Sequence, residues 1–279
     1  MKKVGIIIDS FSSLTLEDVS REGYYFLPLQ VVIDGKTYLD GYEDRLQILQ
    51  MLEKSQSCQS SLPRIDIIQE TIKQASEECE QVYYIGLSEG LSSTASYFKT
   101  FAADYPNVHF IDNHFSGIQF YPVAKKIVEL ANEGVTPEII ISNVKTLSDK
   151  SATLIVPADV SYMVRGGRLK GAKKFILNTL GIIPILSYTS EGTVESIGLK
   201  RTIKGAITKA IDKIVEFAHE IPNPDFNLTL GNDDKINEEL IRQLQERNIP
   251  ISVSTLASSV VAVHTGPKAF SINVMPKID

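Results

Sequence analysis

Four short segments carry side chains whose types and spacing suit chemistry at an anion. The first is Leu87-Ser88-Glu89-Gly90-Leu91-Ser92-Ser93-Thr94, with four hydroxyls in eight residues between an apolar run and a helical pattern. Hydroxyls there cap a helix. They also suit an anion site, because first-turn N–H groups and the helix dipole favour negative charge. Both readings stand on this segment. The second, Ser60-Ser61-Leu62-Pro63, reads as a loop with an N-cap ahead of a helix at Asp66. The third, Arg165-Gly166-Gly167-Arg168, combines a tight turn with guanidinium groups, or ends a helix with a cationic last turn. The fourth, Val260-Val261-Ala262-Val263-His264-Thr265-Gly266-Pro267, reads as a strand that delivers His264 to a turn. A histidine at a strand end is a better site candidate than His109, His114 or His219, which lack that setting. Asp9-Ser10 and Asp112, followed by Ser116 and Gly117, close two further strands and cap helices or line the same crevice.

Other chemistries find no support. There is no G-x-x-x-x-G-K-[ST], no G-x-G-x-x-G after a strand, and no H-x-x-x-H or C-x-x-C. A phosphate loop, a dinucleotide site and a zinc site are therefore not expected, nor is a cofactor. A serine hydrolase using Ser92 and His264 is the enzymatic alternative. Gly90-Leu91-Ser92-Ser93-Thr94 lacks the second glycine of the nucleophile elbow, and no orienting acid can be assigned.

The elements that must position these residues change character along the chain. Runs at Val4–Ile8, Leu29–Ile33, Val82–Leu87 and Val108–Asp112 read as strands. Asp66–Glu77, Ser93–Ala103 and Ser116–Glu133 read as helices, with Gly134 a stop and Pro137 opening the next. This alternation predicts a doubly wound, mainly parallel sheet over residues 1–156. Beyond it come a hairpin (Ile182–Tyr188 and Thr193–Ile197 across Ser190-Glu191-Gly192), helices at Thr202–His219 and Asn237–Asn248, and short strands at Phe226–Leu230, Ile251–Thr255, Val260–Val263 and Ala269–Val274. That mixture predicts a second, α+β domain over residues 157–279. The strand Ala152–Val156 is placed in the first.

With 43% hydrophobic and 22% charged residues the chain has globular composition, and no apolar run reaches the roughly 20 residues of a membrane span. Met1-Lys2-Lys3 before Val4–Ile8 is too brief for a signal peptide and is followed by Asp9. Cys58 and Cys79 form no disulfide framework. A cytoplasmic, monomeric protein is expected. A net charge of −6 leaves no basic footprint for nucleic acid.

Taken in order, the segments resemble the DegV family along the whole chain. Asp9-Ser10, Pro28-Leu29 and Asp34–Asp40 fit its first elements. Ser60-Ser61-Leu62-Pro63 is similar to its Thr-Ser-Gln-Pro turn and Leu91-Ser92-Ser93-Thr94 to its Leu-Ser-Gly-Thr. Gly166-Gly167-Arg168 and His264-Thr265-Gly266-Pro267 match its Gly-Gly-Arg and C-terminal motifs. The resemblance implies two α/β domains with a long-chain fatty acid, such as palmitate, held between them. It implies a lipid-binding protein without its own catalysis, one that presents the carboxylate to a separate ATP-dependent fatty-acid kinase subunit for phospholipid synthesis. Ser60 and Ser92 would then contact the carboxylate with His264 beside them. Ser61, Ser93 and Thr94 would lie around it, and Arg168 on the rim. A lipid-independent regulatory protein is a further alternative. Ser60, Leu62, Arg64, Ser93 and Lys268 depart from the family pattern and bear on tail preference and partner.

Overall fold

The computed structural model describes residues 2–166 and 181–278. In the first part of the chain run β1 (Lys2–Asp9), α1 (Leu16–Arg21), β2 (Tyr25–Leu27), β3 (Gln30–Ile33), β4 (Lys36–Leu39), α2 (Arg45–Lys54) and β5 (Cys58–Ser61). They are followed by α3 (Ile65–Glu78), β6 (Cys79–Ile85), α4 (Thr94–Ala102), β7 (Val108–Phe110), α5 (Phe120–Asn132) and α6 (Pro137–Asp149). The second part comprises β8 (Ala152–Val156), α7 (Ser161–Gly166), β9 (Ile183–Tyr188), β10 (Val194–Lys200), α8 (Ile203–Ala218) and β11 (Pro224–Leu230). It ends with α9 (Asp234–Glu246), β12 (Val253–Leu256), α10 (Ser259–Thr265) and β13 (Phe270–Pro276).

The first sheet has the order β2-β1-β6-β7 and is parallel throughout. Its strands are continuous apolar runs because helices cover both faces. Ile7, Val82 and Tyr84 pack with Ile68, Ile72 and Phe98 of α3 and α4. Ile6, Ile8, Tyr83 and Ile85 pack in the core that includes Phe120, Val123 and Ile127 of α5. The chain leaves β1 for β2 on one side and later returns to β6 on the other. The crevice at the carboxyl ends of β1 and β6 is thus a topological switch point, where ligands bind in such sheets.

A small antiparallel sheet, β4-β3-β5, stands beside it, with the Asp34-Gly35 turn joining β3 to β4. Both turn residues have positive φ, 46° and 83°, the conformation that a two-residue hairpin requires.

The second sheet has the order β10-β9-β8-β13-β11-β12 and is antiparallel except for the β11–β12 pair. The expected hairpin is β9–β10. One face carries Leu154, Phe226, Leu228, Ile272 and Val274 under α8 and α9. The opposite face turns toward the first sheet. Pairing between β8 and both β13 and β9 puts Ala152–Val156 in this second sheet. The six-stranded sheet thus takes in a strand that the alternation of strand and helix assigns to the first domain.

One expected strand is a helix. Val260–Val263 lies in α10, although a β-branched run favours a strand. Buried Asp40 accepts hydrogen bonds from the N–H groups of Ser259 (2.9 Å) and Val260 (3.4 Å), satisfying donors that a helix start leaves open. Val260 and Val263 are buried in the core on either side. Long-range capping and packing override the local preference.

Candidate functional site

A cavity of about 310 Å³ lies between the two large sheets. Its walls are mostly apolar: Phe11, Leu29, Leu87, Leu91, Val194 and Val260 are among the residues that line it. Of the first unit's lining, Phe11 and Ser13, Leu29, and Leu87, Leu91, Ser92 and Ser93 follow the carboxyl ends of β1, β2 and β6, the crevice that the topology singles out. Among the described residues, the lining holds hydroxyls and one imidazole but no carboxylate, lysine or arginine.

The cavity lining brings together three of the segments singled out from the sequence. Ser60, Ser61, Ser92, Ser93 and His264 all belong to it. Ser60 Oγ and His264 Nε2 are 2.7 Å apart, a hydrogen bond across 204 positions of sequence. Ser60 and Ser61 lie on β5, opposite Val31 and Gln30, and not in a loop. Pairing to β3 fixes which way Ser60 points. Leu62 also lines the cavity, and its carbonyl accepts from the Gln30 amide at 2.6 Å. His264 occupies the last turn of α10, not a strand end.

Ser92 Oγ accepts from the Thr94 N–H at 3.2 Å and lies 2.9 Å from Thr94 Oγ1. Ser92 thus braces the start of α4, whose N-cap is Ser93, while also lining the cavity. Thr94 is fully buried behind it. His264 pairs with Ser60, a serine other than the Ser92 of the hydrolase alternative. Arg168, with Gly167, lies outside the described residues. Asp112 lines a separate, smaller recess with His114 and Asp149, whereas Ser116 and Gly117 do reach the main cavity.

The hydroxyl-rich turn is clasped by the second unit. Ser88 Oγ donates to the Gly192 carbonyl at 3.2 Å and accepts from the Tyr188 hydroxyl at 2.8 Å. Gly90 packs so closely on the hairpin that a Cβ there would stand 2.2 Å from the Gly192 oxygen.

Two buried carboxylates support the site without lining it. Asp9 Oδ2 accepts from the Leu87 N–H (2.8 Å) and the Tyr84 hydroxyl (2.8 Å), and Oδ1 from the Phe11 N–H (3.1 Å). Complete burial raises its pKa from 3.8 to about 6, against the lowering effect of those bonds. Asp40 caps α10 as described, and burial pushes its pKa up against the attraction of Arg45. Arg45 in turn donates to the carbonyls of Ser13 (2.9 Å), Leu14 (3.3 Å) and Leu256 (3.3 Å), tying the two units together.

Several departures from the family pattern have local partners. Lys268 Nζ lies 2.6 Å from Glu53 and 3.8 Å from Asp233, and Arg64 pairs with Asp66. Residues that sequence reasoning passed over also line the cavity, notably Ser13, Thr229 and Ser271. Thr229 belongs to an ordinary strand pattern, and only its cross-strand register brings it to the cavity.

Among the described residues, no helix is long and apolar enough to cross a membrane, and no cluster of three or more His, Cys, Asp or Glu could hold a metal ion.

The family model described as "Uncharacterised protein, DegV family" matches residues 3–277. A DegV domain-containing protein of Streptococcus pyogenes serotype M6 is 24% identical over 290 residues, which cover 99% of this chain and 100% of the relative. One from Staphylococcus aureus strain N315 is 26% identical over 286 residues, with 99% and 100% covered. Among solved structures, a fatty acid binding DegV family protein from Streptococcus agalactiae superposes with a TM-score of 0.89 at 23% identity, covering 99% of this chain and 100% of that one. A stearic acid-binding protein from Eubacterium ventriosum gives a TM-score of 0.86 at 20% identity, covering 100% and 99%. With its fold, its order of motifs and nearly its whole length accounted for, the chain belongs to the DegV family.

Proposed function

We propose that this protein binds a long-chain fatty acid, such as palmitate, in the cavity between its two large sheets and performs no chemistry on it. The carboxylate sits at Ser60, Ser92 and His264, with Ser61 and Ser93 at the rim and Thr94 bracing Ser92 from behind. One observation carries this reading: a largely apolar cavity is lined by the Ser60–His264 pair, 2.7 Å apart, and by Ser92. The fatty acids named for DegV structures of the same fold support it.

The physics suits both ends of such a ligand. Burying a palmitoyl tail contributes on the order of 10 kcal/mol before association costs, at about 0.8 kcal/mol per methylene. An unpaired buried carboxylate would be expensive. Hydroxyl donors, an imidazole N–H and the first turn of α4 offset that cost. Neutral donors also hold the head less firmly than a buried bidentate arginine would, which suits a carrier that must give up its cargo. A separate ATP-dependent kinase subunit phosphorylates the presented carboxylate, with Arg168 on the rim where it docks. The carrier itself acts as a cytoplasmic monomer.

Native mass spectrometry of the purified protein tests the ligand class: a co-purifying mass of a long-chain acid is expected, and a protein that neither carries nor takes up such an acid refutes the proposal. A Ser–His contact is also the first half of a hydrolase dyad, so the Ser60–His264 pair favours an esterase as the second reading. Incubation with p-nitrophenyl esters separates the two. A carrier gives no burst and no acyl-serine at Ser60 or Ser92.

A further inference from the structure

The face of the second sheet that meets the cavity carries a row of hydroxyls. Thr229 of β11 lies opposite Thr255 of β12 and Ser271 of β13, and Ser271 lies opposite Ile155 of β8. Directly opposed residues project to the same face of a sheet, and Thr229, Ser271 and Ile155 all line the cavity. The first unit closes over this row with Ser13, Ser116 and Gly117. A Cβ on Gly117 would lie 2.6 Å from Thr229 Oγ1 and 3.7 Å from Ser13 Oγ, so only glycine fits there. Gly117 also has a positive φ of 55°.

Thr229 is 7% exposed, and neither its Oγ1 nor that of Thr255 has a hydrogen-bond partner among the described residues. Buried hydroxyls are normally satisfied, because leaving one unpaired is unfavourable. A wall built only for methylenes has no use for them, and apart from the hydroxyls at the Ser60 and Ser92 segments much of the remaining lining is apolar, with leucine and valine prominent. The row and the Ser60–His264 pair stand at opposite ends of α10. Thr255 and Ala257 precede α10, Val260 and Val261 follow in its first turn, and His264 comes a helical turn later, so this wall runs from the hydroxyl row to the Ser60–His264 pair.

We infer that the preferred ligand is an oxygenated acyl chain: a hydroxy fatty acid whose hydroxyl, well along the tail, bonds Thr229 with Ser13 and Ser271 beside it. This rests on the fatty-acid reading above and narrows it. Thr229 Oγ1 both donates and accepts, so one alcohol satisfies it without a charge.

The test is a calorimetric titration of the full chain with palmitate and with hydroxypalmitates bearing the hydroxyl beside the carboxylate, at mid-chain and near the far end. One of the two remote isomers should bind about tenfold more tightly than palmitate, and the isomer substituted beside the carboxylate should not. In Thr229→Val the ratio should fall to one or below. Ser271→Ala, which spares the packing against Gly117, should lower it as well. Remote isomers that bind no better than palmitate, or a preference that survives Thr229→Val, would overturn the inference while leaving the fatty-acid reading intact. If none of these acids binds, the fatty-acid reading itself fails.

Discussion

Ser60 shows what a residue type says and what it leaves unsaid. Its hydroxyl, its proline two residues beyond its neighbour Ser61, and its place before a helix are plain in the sequence. Its contact with His264 is not, because it joins elements 204 positions apart. Ser92 is open between cap and site in the sequence; in the structure it accepts from the Thr94 N–H just ahead of α4 and also lines the cavity. The carboxylate assignment gives a direct expectation. Ser60→Ala should weaken palmitate binding by about tenfold or more, the loss of one hydrogen bond to a charged group. Ser92→Ala should weaken it also without unfolding the chain. Titration calorimetry with a parallel melting curve measures both, and unchanged affinity in either would remove that residue from the site. Asp9 makes a different prediction. Its folded pKa is raised to about 6 by burial, so the folded state holds the proton more tightly than the unfolded chain. The resulting stability is fully present below the unfolded pKa of 3.8 and is lost as pH rises through about 6. Relative to Asp9→Asn, which does not titrate, the wild type should lose about 3 kcal/mol between those limits. Urea titrations across that range measure the difference, and parallel pH profiles would contradict it.

At the scale of elements, the long periodic stretches were readable and the short ones were not. The strands β1, β6 and β7 and the helices α3, α4 and α5 follow from runs and periodicity in residues 4–133. The segments α1, β2, β4, α2 and β5 escaped: β2 is only the three residues Tyr25–Leu27, and the others mix polar with apolar positions. The clearest failure is α10. Nothing within Val260–Val263 reveals that Asp40, some 220 positions away, caps it. Asp40→Ala should therefore act at a distance. It strips the α10 N-terminus of its acceptor and leaves buried Arg45 without its carboxylate. A loss of about 1–3 kcal/mol in urea unfolding is expected, with weaker palmitate binding through displaced His264. Asp40→Asn, which keeps an acceptor, should lose less.

For the whole molecule, the change from alternating to mixed elements correctly announced two units, although β8 belongs to the second. Invisible in the sequence was the character of their meeting faces. The second sheet is apolar beneath α8 and α9, but its inner face carries buried Asn227, Asn273, Thr153, Thr229 and Ser271. Side-chain bonds such as Asn273 Nδ2 to Asn227 Oδ1 at 2.9 Å hold that face in one arrangement. The units are also joined where Gly90 rests on the Gly192 carbonyl with no room for a side chain. Gly90 stands two residues before Ser92 of the cavity lining, so under the proposed function this seam bears on timing as well as shape. A chain threaded between two sheets can leave only as fast as they part. Gly90→Ala wedges this seam open, and its expected signature is kinetic: stopped-flow displacement of bound palmitate should speed up more than equilibrium affinity falls. An unaltered dissociation rate would mean that the lipid's residence time is set elsewhere.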